Sequence, residues 1–144
     1  MKSITIKQDA WILVCDGEKA LFLKNAGDEV FPNFIVQRVM EHDGSDAPSD
    51  GHETGKAELS NWYHIEKHRF AVELSDFLYK AAHKNRFKHL VLVAPPRVLG
   101  DLRKELHKEV SARLIGELSK DLTHHTVADI EAIVCGKELE AASA

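Results

Sequence analysis

The chain of 144 residues predicts an α/β fold: a mixed five-stranded sheet, three strands in an antiparallel meander and two parallel, with helices on its faces. Three observations carry this. Leu90-Val91-Leu92-Val93-Ala94 is an unbroken apolar run ended by Pro95-Pro96, the pattern of a strand buried on both faces. Two apolar runs, residues 11–15 and 20–24, flank Asp16-Gly17, a strong hairpin turn signal. Phe70, Leu74, Phe77, Leu78 and Ala81 recur at the spacing of one helix face.

Each element follows from local chemistry. Trp11-Ile12-Leu13-Val14-Cys15 and Ala20-Leu21-Phe22-Leu23-Lys24 form the hairpin, and Asn25-Ala26-Gly27-Asp28 marks the next turn. Phe34 to Met40 is rich in β-formers and supplies a third strand. Residues 42–57 are acidic and rich in Gly, Ser, Asp and Pro, so they read as a mobile loop. Ser60 or Asn61 can cap a helix that runs to about Asn85. The central strand follows, and Pro96 suits the first turn of the next helix, where Leu99, Leu102, Leu106 and Val110 keep helical spacing. Residues 113–118 fit a continued helix or a fifth strand. The strand is preferred, because a helix after a buried strand returns the chain to the sheet. Thr126 and Asp129 form a capping box for a last helix carrying Ile130, Ile133 and Val134, and residues 137–144 read as a frayed tail. The resulting order, β-β-β-α-β-α-β-α, is the RNase H-like pattern of connections. It places the third strand at one edge and the parallel strands beside the first.

Bulk properties narrow the function. One domain is expected at this length. Nineteen Lys and Arg stand against twenty-three Asp and Glu, a net charge of −4, which argues against a general nucleic-acid or membrane-surface binder while leaving room for a local patch. The basic residues concentrate between Arg86 and Lys108. Cys15 and Cys135, in apolar surroundings and with no CxxC, read as small buried hydrophobes of a reducing compartment. The first residues lack an apolar signal core and no run reaches membrane-spanning length, so the expected location is the cytoplasm.

Open α/β sheets place ligands beyond the carboxyl ends of their strands, which directs attention to Pro95-Pro96-Arg97. Backbone N–H groups at a helix start, the Arg97 guanidinium, the bare Gly100, and Arg103 and Lys104 within two turns together suit a phosphate or carboxylate. The competing reading pairs Arg97 with Asp16 as a strut. A two-metal nuclease needs converging carboxylates, and Asp16 alone ends a central strand. His64 and His68 share a helix face, but His64-Ile65-Glu66-Lys67-His68 puts its Glu in the wrong position for the zinc-protease signature, and no third ligand has suitable spacing. No GxSxG elbow, GxGxxG or P-loop is present, and no cofactor is expected.

Four strings, Trp11 to Ala20, His68-Arg69-Phe70-Ala71-Val72-Glu73-Leu74, Leu90 to Gly100 and Lys120-Asp121-Leu122-Thr123, resemble the bacterial host-attachment proteins. That resemblance implies a role in attachment to host cells. The family is in turn similar to the RNase H-like middle domain of archaeo-eukaryotic peptide-chain release factors. In those factors a Gly-Gly-Gln loop between the third strand and the long helix acts at the ribosomal peptidyl-transferase centre. The equivalent stretch here contains Gly51-His52-Glu53-Thr54-Gly55 and no Gly-Gly-Gln, and its acidity would be repelled by ribosomal RNA. The expectation is a non-enzymatic cytoplasmic binding protein, translation- or ribosome-associated, acting on attachment indirectly. Its partner is RNA, the ribosome or a small anionic ligand, held by Arg97, Gly100, Arg103, Lys104 and Asp16 or by the loop residues Gly51, His52 and Gly55. The alternatives are a phosphate- or ester-hydrolase centred on Asp16 and Arg97, and a homodimeric scaffold.

Overall fold

The structure, a computed structural model, describes residues 6–41 and 56–136, with side chains described outside 56–68. Nine elements follow in order: β1 Trp11–Cys15, β2 Lys19–Asn25, β3 Phe34–Glu41, α1 Lys56–His83, β4 Leu90–Ala94, α2 Pro96–Glu105, α3 Lys108–Ser111, β5 Leu114–Ser119 and α4 Val127–Gly136. The strands make one five-stranded sheet in the order β3-β2-β1-β4-β5. β2 is antiparallel to both β1 and β3, while β4 is parallel to β1 and to β5. The mixed α/β sheet, the meander and the edge position of β3 are those the sequence predicts, and residues 114–119 are a strand.

β1 and β4 are buried at every position, which explains why neither alternates apolar with polar. Their side chains divide between two cores with the two-residue period of a strand. On one face Leu13, Phe22 and Leu92 meet Phe70, Leu74 and Leu78 of α1 and Leu99 and Leu102 of α2. On the other, Ile12, Val14, Leu23 and Val93 meet Ile130 and Val134 of α4. β3 lies at the edge, and its Ile35, Val36 and Val39 stay exposed.

Two polar devices set the ends of these elements. Asn25, fully buried, donates from Nδ2 to the carbonyls of Ile6, Lys7 and Asp28, and its Oδ1 accepts from the amides of Gly27 and Asn33. This one side chain ties the β2–β3 turn to the segment that enters β1. At the end of α1, Asn85 takes a left-handed φ of 55°, and the Asn85 and Arg86 amides donate to the Ala82 and Ala81 carbonyls. That pattern closes a helix on a residue that tolerates positive φ.

Several expectations need correction. α1 begins at Lys56, ahead of Ser60 and Asn61, so residues 56 and 57 belong to the helix and not to the loop. The helical spacing through Val110 is not one helix. α2 ends where Leu106 turns extended, and α3 restarts at Lys108. The Ser75 hydroxyl donates to the Glu105 carbonyl at 2.7 Å, satisfying one acceptor that the helix end leaves open. Both pieces still bury their apolar residues in the same core, which is why the spacing persists across the break. Cys15 is buried as expected, whereas Cys135 is exposed on α4. Burial pushes the Cys15 thiol far up, and partial burial with the Glu131 charge pushes Cys135 to about 11, so neither is a ready thiolate. Residues 42–55, including Gly51, His52 and Gly55, lie outside the described residues, as do residues 137–144 and the side chains of His64 and His68. Among the described residues no helix is long and apolar enough to cross a membrane.

Candidate functional site

The β1–β2 turn puts Asp16 at the carboxyl end of a central strand. Its Oδ1 accepts from the Glu18 and Lys19 amides, each at 2.7 Å, and the Asp16 amide donates to the Lys19 carbonyl at 2.9 Å. An Asp-Gly pair favours this geometry because the short carboxylate can cap the turn it begins. Its Oδ2 accepts from the Thr123 hydroxyl at 2.7 Å. Burial acts to raise the Asp16 carboxyl, but the Glu18 amide, the Thr123 hydroxyl, the Lys19 amide and the nearby His124 outweigh it and lower the value below the ordinary one. Asp16 is therefore a charged brace that joins the hairpin to the segment after β5.

A cavity of about 310 Å³ opens beside this turn, between it and the start of α2. It is lined by four carboxylates, Asp16, Glu18, Asp101 and Asp121, and by Arg97. Arg97 is exposed and forms no ion pair with a described residue, Asp16 included. α2 starts on Pro95 and Pro96 with no side-chain cap and no acid in its first turn. Its first amides are thus open beside the guanidinium, although the surrounding carboxylates oppose any multiply charged anion.

The other predicted residues do not gather here. Arg103 turns away to Glu117, a buried carboxylate on β5: its Nε donates to both carboxylate oxygens at 3.0 and 3.2 Å, and its Nη2 donates to Oε1 as well. Gly100 and Lys104 do not line the cavity, and apart from its chain neighbours and its own helix backbone no described atom lies within 4 Å of where a Cβ on Gly100 would sit. Among the described residues no three His, Cys, Asp or Glu side chains are placed to hold a metal ion.

Sequence reasoning missed the role of Thr123 and the acidity of the cavity. The string Lys120-Asp121-Leu122-Thr123 was visible as a motif, and the structure gives it a physical content. Leu122 is buried in the α4 core, Thr123 bonds Asp16, and its hydroxyl lies 3.2 Å from an Asp121 oxygen. A short polar string between a strand and a helix, ending in a buried Thr, was the available signal.

Among solved structures, the archaeal translation termination factor aRF1 is similar over 88% of this chain, at 13% sequence identity and a TM-score of 0.45. The chain spans 36% of that factor's length. No curated protein matches the chain. Residues 9–134, from the turn before β1 to Val134 in α4, match the family described as bacterial archaeo-eukaryotic release factor family 12. On that match over most of its length, the chain belongs to the bacterial archaeo-eukaryotic release factor family 12.

Proposed function

We propose that this protein is a non-hydrolytic, cytoplasmic binding module that associates with the ribosome. The observation that carries the reading is the family match across residues 9–134 combined with a β3–α1 connection lacking Gly-Gly-Gln. The scaffold of the family is present without the tripeptide that release factors bring to the peptidyl-transferase centre. Asp16, whose oxygens serve turn amides and Thr123, takes a structural role in this reading and not that of a hydrolase carboxylate. Any effect on host attachment is then indirect, through translation. Arg97, without an ion pair among the described residues and beside the open start of α2, holds a single anionic group, such as one phosphate of the partner.

The experiment is co-sedimentation of the full chain with ribosomes at rising salt, with peptidyl-tRNA hydrolysis followed in parallel. The expected result is pelleting at low ionic strength, weakened in Arg97→Ala, and no hydrolysis. Absence from the pellet at low ionic strength, or release of the peptidyl ester, would overturn the reading.

A further inference from the structure

The opposite end of the sheet carries the opposite charge. Where β1 and β4 begin, two adjoining cavities of about 520 and 370 Å³ share Lys24 and Arg86. Among the described residues around them, Lys7, Lys24, Arg38, Arg86 and Lys88 face only two carboxylates, Asp9 and Glu29. Those two are already engaged, Glu29 by Lys7 at 3.1 Å and Asp9 by Lys24 at 3.4 Å. Arg38, Arg86 and Lys88 are exposed and form no ion pair with a described residue.

The Arg38 guanidinium lies 4.9 Å over the Phe77 ring, which belongs to an aromatic cluster with Trp11, Phe22 and Phe87. Stacking of that kind orients a planar guanidinium without neutralising it. Phe87 is buried in the same cluster, and Arg86 and Lys88 on either side of it are left at the surface. The left-handed turns at Asp9 and Asn85 both border the larger cavity. Gathering like charges without counter-charges costs folding free energy, so packing alone gives no reason for the cluster.

We propose that this surface binds single-stranded RNA through its phosphates, with Arg38, Arg86 and Lys88 as the principal contacts. Cations without ion pairs among the described residues, Arg38 of them pre-oriented on Phe77, along two adjoining cavities match a chain of phosphates better than a single small anion. The net charge of −4 confines the attraction to this end of the molecule, so binding is local and salt-sensitive. The inference rests on the ribosomal reading for its biological setting, but its chemistry is tested separately.

The test measures binding of fluorescein-labelled oligouridine to the full chain by anisotropy over a salt series, beside ribosome co-sedimentation. Arg86→Glu and Lys88→Glu should each weaken oligouridine binding about tenfold. Arg38→Ala/Arg86→Ala/Lys88→Ala should reduce the log–log salt slope by about 2. Lys108→Glu, a reversal of equal charge on α3, should leave binding unchanged. Equal weakening by Lys108→Glu, or no binding of oligouridine by the wild type, overturns the inference. So does polyglutamate binding as tightly through the same residues, which assigns the surface to an acidic protein. If the wild type pellets with ribosomes and the reversed variants pellet equally, the inference fails while the ribosomal reading stands. If oligouridine binding depends on these residues but nothing pellets, the surface stands and the ribosomal reading fails.

Discussion

Toward the carboxyl end of the parallel strands, the carboxylates of β5 and of the β1–β2 turn are consumed internally, while Arg97 forms no ion pair with a described residue. Asp16 caps its own turn and receives Thr123, and Glu117 receives Arg103. At the amino end the structural work is done by a neutral side chain, Asn25, while Arg38, Arg86 and Lys88 are left without counter-charges among the described residues. The comparison teaches that an ionisable residue at a strand end carries little information about binding until its partner is known. The end that sequence rules favour holds braced carboxylates and one cation, Arg97, without an ion pair to a described residue, whereas the end they pass over holds three such cations.

Substitutions can break or sharpen this contrast, and the largest effect belongs to Asn25. Asn25→Leu strands three carbonyls and two amides, one of them buried and the rest partly so, and should cost about 3 kcal/mol in urea denaturation. A loss under about 1 kcal/mol would mean that water replaces the side chain and that the amino end is not braced by it. Next comes Arg103→Ala, which leaves the Glu117 carboxylate buried and without this partner, at a cost of about 2–3 kcal/mol. Adding Glu117→Leu should recover most of that loss, and simple additivity of the two would argue that the pair is not coupled.

Asp16→Asn is smaller, about 1–2 kcal/mol at neutral pH, from weakened turn and Thr123 hydrogen bonds. It also has a pH signature. The folded carboxyl lies below its ordinary value of 3.8, so the unfolded chain takes up the proton first on acidification. The stability that Asp16 contributes is therefore present above that ordinary value and is lost as pH falls through the lower folded one. The wild type and Asp16→Asn should converge in stability across that acidic window, and a constant gap between them would refute the linkage. The smallest effect is expected at the basic end. Arg86→Gln should change stability by less than about 0.5 kcal/mol, since it breaks no ion pair with a described residue. A clear destabilisation there would show that this end, too, is braced by its charges.

Much of the fold could be read from the chain because each element announces itself over a few residues. The run at Leu90–Ala94 announces a buried strand, Asp16-Gly17 a hairpin, and Thr126 a helix start, whose hydroxyl accepts the Asp129 amide at 3.1 Å. The helix break after Glu105 could not be read this way, because both pieces place their apolar residues in one core. The candidate site was legible only as a location. Asp16 and Arg97 do border one cavity, but Arg103 is drawn off by Glu117, and Gly100 and Lys104 stand outside it. The basic stretch from Arg86 to Lys108 reads as one patch in the chain, yet β4 passes through the middle of it. Its five residues, at about 3.3 Å each, put Arg86 and Lys88 at one end of the sheet and Arg97 at the other.

Apart from the break between α2 and α3, the kinds of elements, their order and the faces they bury were legible in the chain alone. Hydropathy and turn chemistry act between residues a few positions apart, where the covalent chain sets the geometry. Which charges are spent and which are free was decided only by the tertiary structure. Thr123 meets Asp16 across 107 positions, and Arg103 meets Glu117 from a different element. Charges pair through space, so the partner of each is settled only when the sheet has closed.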